Sequence, residues 1–373
     1  MNQDILREIE ELYRRTPKHI DGSILGSMTT WPHPIGVEVF SKFMHVNGND
    51  PELFPAIEEC EKKLIREVGS LYGATHGLFT SGGTESNILA VWIAISKLKN
   101  RRVVAPSTVH KSIDKACKLI GCELIKIPTH PLKPVDPRTI DKYVTEKQPS
   151  LIVITAGTTE SGVIDPLVEI AEIAEKHGVF LHIDAAYGGL LIPFLYKRGV
   201  VKERLWMEKG VTSITVDLHK NGMAPIPSSI LFVKDKDLVE EACFEMDYMP
   251  RGRSCGLLGT RPGGSLIASY FVWRAVGPQG YEEIALRMME LASFLYEELA
   301  HRPFIDANPY VLPIITFRSR RYNTQELFTK LFKNGLYVYK APSLDAVRVV
   351  IMPHHKKEHL ERFIAFLDKI HGE

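Results

Sequence analysis

Apolar positions along the chain follow two alternating rhythms. Short β-branched runs lie at Arg102–Ala105, Glu123–Ile127, Leu151–Thr155, Phe180–Ile183, Ser213–Val216 and Ser229–Val233. Between several of them the spacing turns helical, over Glu85–Leu98, His110–Leu119 and Val168–His177. Continuous apolar strands separated by helices predict an α/β fold with a mostly parallel sheet covered on both faces. Upstream, residues 4–14 have helical periodicity, Gly26–Pro34 is too rich in turn residues for regular structure, and 51–72 reads as a helix opened by Pro51. Downstream, 279–301 reads as a long amphipathic helix. It is followed by Ile314–Arg318, a helix near 324–334, Leu336–Tyr339, Val347–Met352 and a last helix over 355–371. That β-α-β-β-α order predicts a small α+β domain. The expected division is an N-terminal segment 1–50, a large domain 51–277 and a small domain 278–373.

Composition changes this picture little. With 45% hydrophobic and 24% charged residues the chain is ordinary for a globular protein. A net charge of +1 gives no electrostatic reason to expect nucleic acid or an anionic membrane as partner. The first residues, Met-Asn-Gln-Asp, lack the basic and apolar regions of a signal peptide, and no apolar run approaches the ~20 residues that span a bilayer. Five scattered cysteines without a CxxC pair fit a reducing cytoplasm better than a disulfide framework.

Three segments carry chemistry. In Leu181-His-Ile-Asp184-Ala-Ala-Tyr-Gly-Gly189 an apolar strand delivers one carboxylate to its C-terminal end, where open α/β sheets bind ligands. In Ile214-Thr-Val-Asp217-Leu-His219-Lys220 a second strand delivers a lysine; a neutral amine in a crowded site can form an imine with an aldehyde. Ser81-Gly82-Gly83-Thr84 opens the helix over 85–98, offering backbone N–H groups and hydroxyls to a phosphate. Each has a plainer reading alone: a turn aspartate, a surface lysine, a capping turn. Together, in the chain order cradle, aspartate, lysine, they match the phosphate, ring nitrogen and aldehyde carbon of pyridoxal 5′-phosphate (PLP).

The chain resembles the fold-type I PLP enzymes and, within them, the group II amino-acid decarboxylases. The resemblance rests on Pro-His-Pro at 32–34, Thr-Ser-Gly-Gly-Thr-Glu-Ser-Asn at 80–87, His-Ile-Asp-Ala-Ala-Tyr-Gly-Gly at 182–189 and Gly-Thr-Arg-Pro-Gly-Gly at 259–264. It is strongest to the short archaeal branch of tyrosine/aspartate decarboxylases. It implies that Lys220 holds PLP as a Schiff base, that Asp184 partners the ring nitrogen, and that His110 stacks on the ring. It places Thr155 beneath the ring near O3′, Ala186 against the other face, and Asp217 and His219 around the phosphate. Thr260 matches a hydroxyl that reaches the phosphate from a neighbouring subunit, implying a homodimer with shared active sites in which the N-terminal segment packs. Arg348 matches the arginine that recognises the substrate carboxylate; an arginine in a buried strand needs an anionic partner. Segments 27–34, including His33, and 247–256 would shape the side-chain pocket, with Tyr248 as candidate proton donor.

The implied reaction is α-decarboxylation of an L-amino acid in the cytoplasm: L-aspartate to β-alanine for coenzyme A, with L-tyrosine to tyramine or L-glutamate to γ-aminobutyrate as alternatives. Arg251 and Arg253 would favour an acidic side chain, though loop arginines are more often solvated. More distant readings are a carbon–carbon lyase and a cysteine desulfurase, for which Cys255 is the available thiol. The His354-His355…His359 run reads as a solvated helix start rather than a metal site.

Overall fold

The computed structural model describes residues 3–372. Its larger unit, Pro32–Arg287 with Tyr310–Leu312, is built on a seven-stranded sheet. The strands are β1 (His76–Thr80), β2 (Arg102–Pro106), β3 (Glu123–Ile127), β4 (Leu151–Thr155), β5 (Phe180–Asp184), β6 (Ser213–Asp217) and β7 (Ser229–Val233), in the order β1-β7-β6-β5-β4-β2-β3. Strands β2 to β6 are parallel; β7 is antiparallel to both β6 and β1. Val103, Val104, Ile152, Val153, Ile154, Ile183 and Ile214 are fully buried, as continuous apolar strands covered on both faces require. Strand β1 escaped the sequence pattern because His76-Gly-Leu-Phe-Thr is short and interrupted by Gly77, whose added Cβ would lie 2.8 Å from the Leu231 carbonyl.

The helices in the first third of the chain are α1 (Gln3–Arg15), α2 (Pro34–Phe43), α3 (Pro55–Gly69), α4 (Gly83–Leu98) and α5 (Lys111–Ile120). Helix α3 starts at Pro55 rather than Pro51. The Asp50 carbonyl accepts the amides of Leu53 and Phe54, holding Pro51 in a turn. The long helix covers 263–300, with Gly277 at φ 67° and Pro278 kinking it where the sequence marked its start. After β7 a hairpin pairs β8 (Cys243–Glu245) with β9 (Arg253–Cys255). Cys243 and Cys255 face each other across it and are disulfide-bonded. This corrects the expectation of uniformly reduced cysteines: a hairpin brings together two thiols 12 residues apart, which spacing alone does not reveal.

The smaller unit comprises the chain up to Trp31, Met288–Pro309 and the chain from Pro313. Its antiparallel sheet has the order β10-β11-β13-β12, from β10 (Ile305–Ala307), β11 (Ile314–Ser319), β12 (Tyr339–Ala341) and β13 (Ala346–Val350). The N-terminal chain is part of this unit: Leu25 N–H donates to the Tyr337 carbonyl at 3.0 Å and its carbonyl accepts from Val350 at 2.7 Å. Gly26 is required there, since a Cβ would lie 2.3 Å from the Tyr339 nitrogen. The histidines read as a solvated helix start are instead interior: His355 accepts from Met352 N–H and donates to the Ile24 carbonyl, and His359 lies against Gly22. No helix among the described residues is long and apolar enough to cross a membrane.

Candidate active site

Because β1, β2, β4, β5 and β6 all run in one direction, their C-terminal ends share one edge of the sheet. From that edge come Ser81–Thr84 after β1, His110 after β2, Thr155 ending β4, Asp184 ending β5 with Ala186 beyond, and Asp217 ending β6 with His219 and Lys220 beyond. Register places Thr155 beside Asp184, and Asp184 beside Thr215. The ordered set read from the sequence thus converges.

Lys220 Nζ lies 2.9 Å from Asp217 Oδ2, and His219 Nε2 lies 3.6 Å from the same oxygen. His219 Nδ1 accepts the Ser228 N–H at 3.1 Å, so its proton sits on Nε2, facing the carboxylate. Burial pushes the Asp217 carboxyl up, but Lys220 and His219 outweigh it and hold the group below its ordinary value. The Asp184 carboxylate is buried: Oδ1 accepts from Ala186 N–H at 3.1 Å and Oδ2 from the Asn87 amide at 2.8 Å. His110 caps α5, its Nδ1 accepting from Ser112 N–H, so the plain capping role and a role at the edge coexist. Loss of hydration lowers its imidazole below the usual range, with Asp184 pulling the other way.

PLP, the group the resemblance implies, finds three features that fit it. Thr155 Oγ1 is buried with no hydrogen-bond partner, a hydroxyl suited to a ring oxygen. A Cβ on Gly83 would stand 2.9 Å from Asp217 Oδ1 and 3.1 Å from Ala186 Cβ, so the turn opening α4 tolerates no side chain there. A Cβ on Gly82 would touch the His219 ring at 3.4 Å, placing the same turn beside the Lys220 segment.

Other expected residues stand elsewhere. His33 caps α2, and its backbone N–H donates to the Met223 carbonyl at 2.9 Å, which ties the Pro-His-Pro segment to the turn following Lys220. Thr260 is exposed, next to Arg261, which is buried and paired with Glu61, Asn49 and the Gly48 and Phe79 carbonyls. Tyr248 is 83% exposed in the turn between β8 and β9. Arg348 belongs to the smaller unit, where it is buried in β13 and donates from Nη2 to the Gly26 carbonyl at 2.9 Å. Arg251 is paired with Glu52 and Glu58, and Arg253 with Glu240, among half-exposed side chains. Cys255 lies in its disulfide and cannot serve as a mobile catalytic thiol.

Residue-by-residue reading missed a polar layer beneath the edge. Glu85 Oε2 accepts the Ser81 N–H at 2.7 Å and its Oε1 the Leu257 N–H at 3.1 Å, fixing the cradle. Asn87, Ser112, His182, Ser213 and Thr215 are buried and mutually bonded. The available signal was polar residues at positions the helix and strand patterns assign to the core, which need partners.

Comparison with known proteins fits this geometry. The model of the pyridoxal-dependent decarboxylase conserved domain matches residues 35–320. An L-tyrosine/L-aspartate decarboxylase of Methanocaldococcus jannaschii is 33% identical over 99% of the chain and 96% of its own length. An L-aspartate decarboxylase of Thermococcus kodakarensis is 33% identical over 99% and 97%. Among solved structures, a Burkholderia pseudomallei sphingosine-1-phosphate lyase superposes with TM-score 0.88 at 24% identity, covering 99% of this chain and 90% of its own. A Lactobacillus brevis glutamate decarboxylase gives 0.83 at 20%, covering 98% and 92%. At such identities the structural likeness speaks for the fold alone.

Proposed function

The chain belongs to the pyridoxal-dependent decarboxylase family and is a PLP-dependent carboxy-lyase; from that premise we propose that it converts L-aspartate to β-alanine and CO₂. The observation that carries the chemistry is the shared strand edge holding Lys220, Asp184, His110 and the Gly82-Gly83 turn. The choice of aspartate is supported by the relatives whose names include it. L-Tyrosine is the second reading, favoured by the dual name of the M. jannaschii relative. β-Alanine would serve coenzyme A assembly.

Lys220 would be the covalent attachment point, its Nζ held 2.9 Å from Asp217 Oδ2. Ser81, Gly82, Gly83, Thr84 and His219 would hold the phosphate, through hydroxyls and the backbone N–H groups of the first α4 turn. Asp184 would keep the ring nitrogen protonated, and its burial would strengthen that pairing. Thr155 Oγ1 would donate toward the ring oxygen, and His110 and Ala186 would pack against the ring. When bound, PLP supplies the electron sink into which the Cα–carboxylate bond breaks. By the resemblance alone, Arg348 would recognise a substrate carboxylate, His33 would border the side-chain pocket, and Tyr248 would return a proton to Cα.

The active form is a homodimer. Helix α1 has no buried residue, and Ile5, Leu6, Ile9, Leu12 and Tyr13 are all exposed on it, an apolar set that a second copy would cover. Exposed Thr260, flanked by exposed Leu257 and Leu258, is the hydroxyl offered to the partner's phosphate. The cytoplasmic reading rests now on three free thiols, Cys60, Cys117 and Cys122.

The test is product analysis of PLP-loaded enzyme given aspartate, tyrosine and glutamate separately. β-Alanine should form with the highest kcat/KM. Tyramine as the sole product would overturn the aspartate assignment, and γ-aminobutyrate would redirect it to glutamate.

A further inference from the structure

Behind the strand edge a single buried amide touches both branches of the site. Asn87, on α4 and 1% exposed, donates from Nδ2 to Asp184 Oδ2 and to Ser112 Oγ, each at 2.8 Å. Its Oδ1 faces His182 Nε2 at 2.9 Å and Thr215 Oγ1 at 3.0 Å. His182 is fully buried, and its Nδ1 lies 2.8 Å from Ser213 Oγ. Ser112 Oγ in turn lies 2.9 Å from His110 Nδ1.

Donor and acceptor chemistry fixes every proton in this chain. An ionised carboxylate only accepts, so the Asn87 nitrogen must face Asp184 and its oxygen must face His182. His182 then carries its proton on Nε2, which leaves Nδ1 to accept from the Ser213 hydroxyl. Ser112 Oγ accepts the second Asn87 N–H, which frees its own proton for His110 Nδ1. That nitrogen also accepts the Ser112 backbone N–H at 3.2 Å. With Nδ1 doubly engaged as acceptor, neutral His110 carries its proton on Nε2.

We propose that Asn87, held by His182, is a positioning residue that orients the Asp184 carboxylate and sets the His110 tautomer through one amide. This rests on the assignment of Asp184 to the ring nitrogen and His110 to the ring face. The carboxylate lone pairs and the imidazole proton are thereby set together, so cofactor binding and turnover share a node that touches no reacting atom. Because Asn87, Ser112, His182, Ser213, Thr215 and Asp184 are buried, a mispaired member among them leaves an unsatisfied polar atom rather than a solvated one.

The PLP-loaded enzyme tests this with Asn87→Asp, which keeps the acceptor for His182 and Thr215 but turns an oxygen toward Asp184. The expected result is a rise of about tenfold or more in the PLP dissociation constant and a similar fall in kcat, with KM within about twofold. Ser112→Ala cuts only the His110 branch, so it should lower kcat about tenfold and leave PLP affinity unchanged. Nitrogen-15 spectra of histidine-labelled protein, with His110 assigned through His110→Gln, should show unprotonated Nδ1 in the wild type and a larger Nδ1-protonated fraction in both variants, the smaller rise in Ser112→Ala, where the backbone N–H of residue 112 still faces Nδ1. Wild-type tautomer, affinity and turnover in Ser112→Ala would overturn the relay, as would an Asn87→Asp whose only change is a lower Tm. Asp184→Ala and His110→Ala are run alongside. Wild-type PLP affinity and turnover in those two would overturn the site assignment beneath the relay, and the relay with it.

Discussion

The sheet edge at β4–β6 and the β8–β9 hairpin are both rich in ionisable residues, but they handle them in opposite ways. At the edge, Asp184 and Asp217 are buried and each is held by named donors or cations. On the hairpin, Arg251 and Arg253 pair with Glu52, Glu58 and Glu240 among half-exposed side chains, and a disulfide closes the base. Exposed pairs contribute little, about 0–1 kcal/mol each, whereas a buried charge that loses a partner costs several-fold more. The edge is therefore where substitution should change chemistry. On the hairpin, substitution of the paired arginines or of the disulfide should change stability alone, Tyr248 in its turn excepted.

The largest effect is expected at Lys220. Lys220→Ala should remove the covalent link to PLP and lower kcat by at least about a thousandfold, measured as CO₂ release. Asp184→Asn comes next: a neutral amide cannot hold the ring nitrogen protonated, and kcat should fall about a hundredfold with KM little changed. If either kept wild-type turnover, the contrast between the two regions would collapse.

Acid sensitivity sharpens the picture of buried groups. Burial lowers His182 and His355 to about 4, so as pH falls the unfolded chain takes up their protons first. Their stabilising share is complete above the ordinary histidine value near 6.5 and is lost as pH falls toward about 4, on the order of 3 kcal/mol each. Asp165 acts in the opposite sense. Burial raises it to about 6, so the folded state holds its proton longer and stability falls as pH rises from about 4 to 6, offsetting part of the loss. Denaturant unfolding from pH 7 to 4 should show a net decline, and a flat profile would contradict the neutral histidines.

On the hairpin, Cys243→Ser should cost at most about 3 kcal/mol, the loop-closure value for a short bridge, and leave KM for the amino acid unchanged. Arg251→Ala is the smallest effect, about 1 kcal/mol or less in stability, with no change in KM. A tenfold rise in KM for aspartate in Arg251→Ala would restore that residue to the substrate pocket.

The same contrast explains what was legible in the sequence. Six of the seven strands of the large sheet follow from apolar runs, and Asp184 and Asp217 follow from the two of them that end in a carboxylate, because strand direction fixes where each run delivers its last side chain. The hairpin's partners could not be read: Glu52 and Glu58 lie far along the chain from Arg251, and Cys243 meets Cys255 only once the strands pair. The interior histidines of the smaller unit escaped for a related reason, since His355 is held by a carbonyl of the N-terminal chain, at Ile24. Asn87 and His182 stood within recognised motifs, yet their roles depend on a shared amide that only the fold brings together.

The central claim is that one lysine, at the end of β6, carries the cofactor. Borohydride reduction of the PLP-loaded protein, followed by proteolysis and mass mapping, tests it most directly. Pyridoxyl label on Lys220 alone is the predicted result. Label on Lys111 or Lys115 beside His110, or no label at all, would contradict it.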